Sequence, residues 1–132
     1  MAAGTATMRF IAEHGLAERA RKLGDRLGTD LAEAMAELPA IGEVRGRGLM
    51  LGLDLVDPQA APDALGARPA APELAARVRA QALERGLIVE LGGRHGAVLR
   101  LLPPLTMTEL EAEQVRDVVL ASIAAASVAP RS

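Results

Sequence analysis

Cysteine, tryptophan and tyrosine are missing from this sequence, and Phe10 is its only phenylalanine. Without thiols there is no disulfide scaffold, thiolate metal site or cysteine nucleophile. A single large aromatic ring leaves no stacking platform for bases, and a net charge of −2 offers no cationic surface for a phosphate backbone. No apolar run approaches the roughly 20 residues of a membrane span, and the N-terminus lacks the charged-then-apolar order of a secretory signal. The expectation is a soluble cytoplasmic protein with neither a nucleic-acid nor a membrane partner. Lysine is nearly missing too: of 15 lysines and arginines only Lys22 is a lysine, so lysine-dependent chemistry has one candidate.

What is present is globular. Half of the 132 residues are hydrophobic and 24% are charged, enough for one core and one domain, or part of a larger one. Leu16, Ala20, Leu23, Leu27, Leu31, Met35 and Leu38 recur at helical spacing, and Gly15 divides residues 3–14 from residues 16–37. Leu49, Leu51, Leu53 and Leu55 then alternate with Met50, Gly52, Asp54 and Val56, the two-residue period of a strand. With Gly46-Arg47 as a tight turn, residues 43–46 and 48–56 form a hairpin.

Residues 57–71, with Pro58, Pro62 and Pro69, read as a surface loop. A helix starts at Pro72, buries Leu74, Val78 and Ala82, and stops at Gly86. Strands at 87–91 and 97–102 flank the turn Gly92–Gly96, and Pro103-Pro104 ends the second. Thr108 and Glu111 make a capping box for a last helix whose inner side is Leu110, Val115, Val118, Val119 and Ile123. The order α-β-β-α-β-β-α describes an α+β fold, a small antiparallel sheet with helices on one face.

Arg100 stands out as a residue that could carry chemistry. It interrupts an apolar strand on the face shared by Val98 and Leu102. A guanidinium fork there suits bidentate capture of a carboxylate, while an edge-strand arginine snorkelling to water is the plainer reading. His14 lies near a helix end and His95 in a glycine-rich turn, and neither has a second ligand at metal spacing. The stretch Gly92–Gly96 is read as a plain hairpin turn. Lys22 sits on the polar face of its helix, where nothing desolvates it as Schiff-base chemistry requires. No residue is assigned a catalytic, cofactor-binding or metal-binding role.

The segment IGEVRGRGLMLGLDLV (41–56) resembles the I-x-E-V-R-G-x-G-L-M-x-G-x-E-L stretch of class III, ornithine-type aminotransferases, which depend on pyridoxal phosphate. The segment GLIVELGGRHGAVLRLLPPL (86–105) resembles their late strand–turn–strand ending in Pro-Pro-Leu, and is most similar to the diaminobutyrate–2-oxoglutarate branch. Residues 1–27 resemble the helix that opens the C-terminal small domain, so the likeness runs from residue 1 to about 123. It implies the small-domain fold of fold-type I pyridoxal-phosphate enzymes over residues 1–126, with 127–132 a disordered tail.

The resemblance also implies a reaction: transfer of an amino group between a diamino acid of the 2,4-diaminobutyrate type and the 2-oxoglutarate/glutamate pair. Arg100 matches the family's arginine for the substrate α-carboxylate. Gly46 and Gly48 match hairpin glycines, and His95 matches a turn. The aldimine lysine, the aspartate facing the pyridine nitrogen and the phosphate-binding residues belong to the family's large domain, and their motifs do not occur here. Lys22 matches a surface position. The chain alone is therefore expected to bind no pyridoxal phosphate and to be inactive, and to need a large domain or further copies of itself as partner. A noncatalytic interaction module, or a half-enzyme with a separate large-domain partner, is the alternative. Met1, Met8, Phe10 and Ile11 make the first helix more apolar than a lone domain requires, which implies an exposed patch and self-association.

Overall fold

Two helices in tandem open the chain. In the computed structural model, which describes residues 1–128, α1 (Ala2–Glu13) and α2 (Leu16–Glu33) are separated at Gly15, whose left-handed φ of 58° breaks the helical run. Leu16, Ala20, Leu23, Leu27 and Leu31 are all buried, so the expected stripe of α2 is its core face. A 3-10 turn at Ala34–Ala36 carries the chain into β1 (Ile41–Arg47), which pairs antiparallel with β2 (Met50–Leu55).

The β1–β2 turn is displaced from its expected place. Arg47 pairs with Met50, so the turn is Gly48-Leu49 and not Gly46-Arg47. Gly48 takes a φ of 55°, and Leu49 is buried with Ala20, Leu23, Met107 and Ala112 in a small secondary cluster. Burial of Leu49 thus moves the turn two residues along.

The proline loop returns at an isolated bridge between Val56 and Ala70. Helix α3 (Pro72–Glu84) follows with Pro72 in its first turn and Leu74, Ala75, Val78 and Ala82 buried. Strands β3 (Glu90–Gly92) and β4 (Val98–Leu101) form the second hairpin. Both are shorter than expected. Extending the Glu90–Arg100 register would bring residues 86–88 opposite Leu102, Pro103 and Pro104, and prolines cannot donate to a ladder. Leu87 instead donates its N–H to the Ala82 carbonyl and completes the end of α3.

Helix α4 (Glu109–Ser127) begins at the expected capping box: Thr108 Oγ accepts from the Glu111 N–H, and the Glu111 carboxylate accepts from the Thr108 N–H. Leu110 is not on the inner side as expected; it is 65% exposed, while Ala112, Val119, Ser122, Ile123 and Ala126 are buried. Two positions on a helix differ by about 200°, so burying Ala112 turns Leu110 outward. The helix includes Ser127, where the tail was expected to start, and residues 129–132 lie outside the described residues.

The sheet order is β1-β2-β4-β3, antiparallel throughout. Leu51, Leu53, Leu55, Leu99 and Leu101 point to one face, where α2, α3 and α4 contribute Leu31, Val78, Val119 and Ile123 to a common core. This is the expected α+β arrangement with helices on one face. No described helix is long and apolar enough to cross a membrane.

Candidate functional site

Because α2, α3 and α4 cover one face of the sheet, the alternating residues face away from the core. The registers arrange them in rows. One holds Glu90, Arg100, Gly52 and Arg45; the next holds Gly92, Val98 and Asp54. Beside them Met50, Ile88 and Leu102 are exposed apolar side chains.

Arg100 is therefore not an edge-strand arginine. It sits on β4, between β2 and β3, near the middle of the uncovered face. Its face is the one expected, shared with Val98. The side chain is 47% exposed, and its nearest counter-ion is Glu90, its cross-strand partner, at 3.9 Å from Nη1 to Oε2. That is beyond hydrogen-bond length. Among the described residues the Arg100 guanidinium makes no close ion pair, which leaves its donors free for an incoming acceptor.

Arg45, the other arginine of the row, is differently placed. Its Nη1 lies 2.6 Å from Asp54 Oδ2 and 2.9 Å from Glu43 Oε2. The hydrogen bond with Asp54 is the main reason its pKa is raised further above the usual arginine value. Its charge is committed within the sheet, so Arg100 is the less committed cation of that row. The neighbours of Arg100 are small where they need to be. Gly52 opposite it carries no side chain, and a Cβ on Gly92 would lie 2.7 Å from Arg100 Cδ.

Arg100 lines an open cavity of about 450 Å³ together with Ile88, Glu90, Leu102, Pro103, Met107 and Glu111. Its walls are mostly apolar, with Glu90 and Glu111 as the other charged residues, and a cation beside aliphatic walls suits a ligand with a carboxylate and a short aliphatic chain. The roles of Glu90, Gly92, Arg45 and Asp54 were not foreseen. Their alternation was visible in the sequence; their juxtaposition depends on strand order, which it did not reveal.

The remaining candidates lie elsewhere. His14 caps α1, its ring stacked on Phe10 at 4.0 Å and its Nδ1 2.9 Å from the Phe10 carbonyl. His95 is exposed in the β3–β4 turn. Lys22 is 70% exposed on α2, with Nζ 3.7 Å from Glu18 Oε1. Among the described residues no three histidines or carboxylates gather into a metal-binding group.

The family profile for class III aminotransferases matches residues 1–123. The chain belongs to the class III aminotransferase family. It is 47% identical over 122 residues to the diaminobutyrate–2-oxoglutarate aminotransferase of Rhizobium meliloti (strain 1021), covering 92% of this chain and 26% of that protein. It is 40% identical over 114 residues to the enzyme of the same name from Haemophilus influenzae, covering 86% of this chain and 25% of that protein. Among solved structures, a phospholyase from Arthrobacter in complex with phosphoethanolamine superposes with a TM-score of 0.84 at 30% identity, over 93% of this chain and 28% of that one.

This chain thus spans about a quarter of the length of the curated relatives it matches. Class III aminotransferases use pyridoxal phosphate, and the residues described here do not fit that group. The only lysine is 70% exposed on a helix face and lies beside the Glu18 carboxylate, not in the desolvated pocket that a Schiff-base lysine needs.

Proposed function

We propose that this class III aminotransferase segment is the C-terminal small-domain portion of a cytoplasmic transaminase. The transaminase moves an amino group between a diamino acid of the 2,4-diaminobutyrate type and the 2-oxoglutarate/glutamate pair. Arg100 receives the substrate carboxylate through two parallel N–H···O bonds. The observation that carries the reading is the contrast between two arginines on one row: Arg45 is held by Asp54 and Glu43, while Arg100 lines a mostly apolar cavity with its nearest counter-ion 3.9 Å away. The two diaminobutyrate–2-oxoglutarate aminotransferases at 47% and 40% identity support the substrate pair.

The solvated Lys22 favours a division of labour. This portion binds and orients substrate, and a large-domain partner, in the same chain or a separate one, holds the cofactor and the proton-moving lysine. Segment exchange tests the proposal. Residues 1–123 replace the matching segment of the Rhizobium meliloti enzyme, and amino transfer from diaminobutyrate to 2-oxoglutarate is measured. Retained transfer is the expected result; a folded, inactive hybrid would refute it.

A further inference from the structure

We infer that Glu111, on the first turn of α4, is a specificity residue of the same cavity: it receives an ammonium group of the diamino substrate while Arg100 holds the carboxylate. The inference rests on the carboxylate reading of Arg100 and adds to it the second charge that the cavity recognises.

The two residues reach the cavity from different elements. Arg100 stands on β4, and Glu111 follows the double proline as the third residue of α4. Leu101, Leu102, Pro103, Met107 and Val115 supply apolar lining, which suits a short methylene chain joining two charged ends.

The helix cap fixes Glu111 through one oxygen only. Oε2 accepts from the Thr108 N–H at 2.7 Å and from the Thr108 hydroxyl at 3.0 Å. Among the described residues Oε1 has no hydrogen-bond donor and no cation within ion-pair distance. The Thr108 bonds, and after them the charge of Arg19 on α2, favour the ionised carboxylate. Arg19 itself donates Nη2 to the Met107 carbonyl at 2.6 Å. A charged oxygen on a side chain already held by a cap loses little entropy when it takes a ligand.

Charge then separates the substrates. Arg100, Glu90 and Glu111 bring one positive and two negative side chains to the cavity. Arg100 and Glu90 face each other at 3.9 Å and partly offset one another, so the Glu111 charge is the one left without a counterpart. A diamino acid at neutral pH carries two ammonium groups and one carboxylate, and supplies the missing positive charge. A dicarboxylate such as 2-oxoglutarate brings a second negative charge toward Glu111 instead. Glu111 therefore acts on the amino donor, and 2-oxoglutarate relies on Arg100 without it.

The experiment is calorimetric and NMR titration of the 132-residue chain with butyrate, 2,4-diaminobutyrate and glutarate. Butyrate offers a carboxylate alone, 2,4-diaminobutyrate adds ammonium groups to the same carbon chain, and glutarate ends in a second carboxylate. The Arg100 Nε–Hε resonance, identified by its loss in Arg100→Lys, reports the carboxylate end. In the wild type, 2,4-diaminobutyrate should bind about fivefold or more tighter than butyrate. Glu111→Gln keeps an acceptor for the Thr108 N–H but removes the charge. It should bring that ratio to within about twofold of unity, leave butyrate binding as it was, and hold glutarate as well or better. Equal weakening of all three probes would mean that Glu111 only caps α4, and would overturn the inference. A wild-type ratio near unity, or one that Glu111→Gln leaves intact, would overturn it too. If Glu111→Gln fails to fold, Glu111→Asp takes its place: it withdraws the charge by one methylene and should lower the ratio about twofold or more, an unchanged ratio being the contrary result. These outcomes leave the carboxylate reading standing. That reading fails, and the inference with it, if all three probes leave the wild-type Arg100 resonance unmoved.

Discussion

Gly24 of α2 lies directly against the carbonyl of Gly48 in the β1–β2 turn, with no room between them for a methyl group. This contact seats the first hairpin on the helix and lets Leu49 reach Ala20 and Leu23. Gly24→Ala should therefore cost about 1–3 kcal/mol or more, since either the helix or the turn must retreat. Gly28, one turn later, is the control. A Cβ there meets only Leu51 Cδ2 at 3.7 Å, so Gly28→Ala should gain roughly 0.5–1 kcal/mol in helix propensity. Urea unfolding of both variants checks the pair, and equal effects would mean that the close approach is not rigid.

The cap of α4 makes a pH prediction. Hydrogen bonds from the Thr108 backbone N–H, and then from its hydroxyl, hold the Glu111 carboxyl below its ordinary value of 4.5. A carboxyl lowered in the folded state stabilises the fold fully above that ordinary value, and the contribution is lost as pH falls through the folded value. Stability should thus decline on acidification below about pH 4.5, and Glu111→Gln should flatten part of the decline. At neutral pH Thr108→Ala should cost about 1 kcal/mol through the lost cap. Thermal unfolding from pH 3 to 7 tests both, and a Glu111→Gln profile parallel to wild type would contradict the first.

Much of this fold was legible because local rules were obeyed. The α2 stripe, Pro72 in the first turn of α3, the alternating leucines of β2 and the Thr108–Glu111 box each follow from a few neighbouring residues. The departures come from contacts distant in sequence. The Gly48-Leu49 turn is set by burial of Leu49 against α2, and β3 is shortened by the prolines opposite it. The site was legible only at Arg100. That β4 lies inside the sheet, with Glu90 on one side and Gly52 on the other, follows from the order β1-β2-β4-β3, which no local pattern encodes.

Lys22 should give no specific adduct with pyridoxal phosphate. Its side chain is 70% exposed on α2, with Glu18 as its nearest counter-ion and no enclosing pocket to seat the cofactor. Incubation with the cofactor, borohydride reduction and peptide mapping should return at most sparse labelling and no turnover. Stoichiometric modification of Lys22 with transaminase activity would reverse the reading.

Helix α1 should drive self-association. None of its residues is buried, and Met1, Met8 and Phe10 are exposed. Sedimentation velocity should show mass rising with concentration, less so in Met8→Glu. A monomer at all concentrations would argue that this apolar surface is too small to pair.

The most direct test of the account is Arg100→Lys in the Rhizobium meliloti enzyme carrying residues 1–123 in place of its own segment. Lysine keeps the charge but replaces a planar fork with a point donor, so one of two charged hydrogen bonds is lost. With such bonds worth roughly 1.5–3 kcal/mol, kcat/KM for diaminobutyrate and for 2-oxoglutarate should fall by about tenfold to a hundredfold, mainly through KM. The unfolding midpoint should stay where it was, because the side chain faces an open cavity. Unchanged kinetics, or a variant that loses stability instead of substrate affinity, would contradict the assignment of Arg100 to the substrate carboxylate.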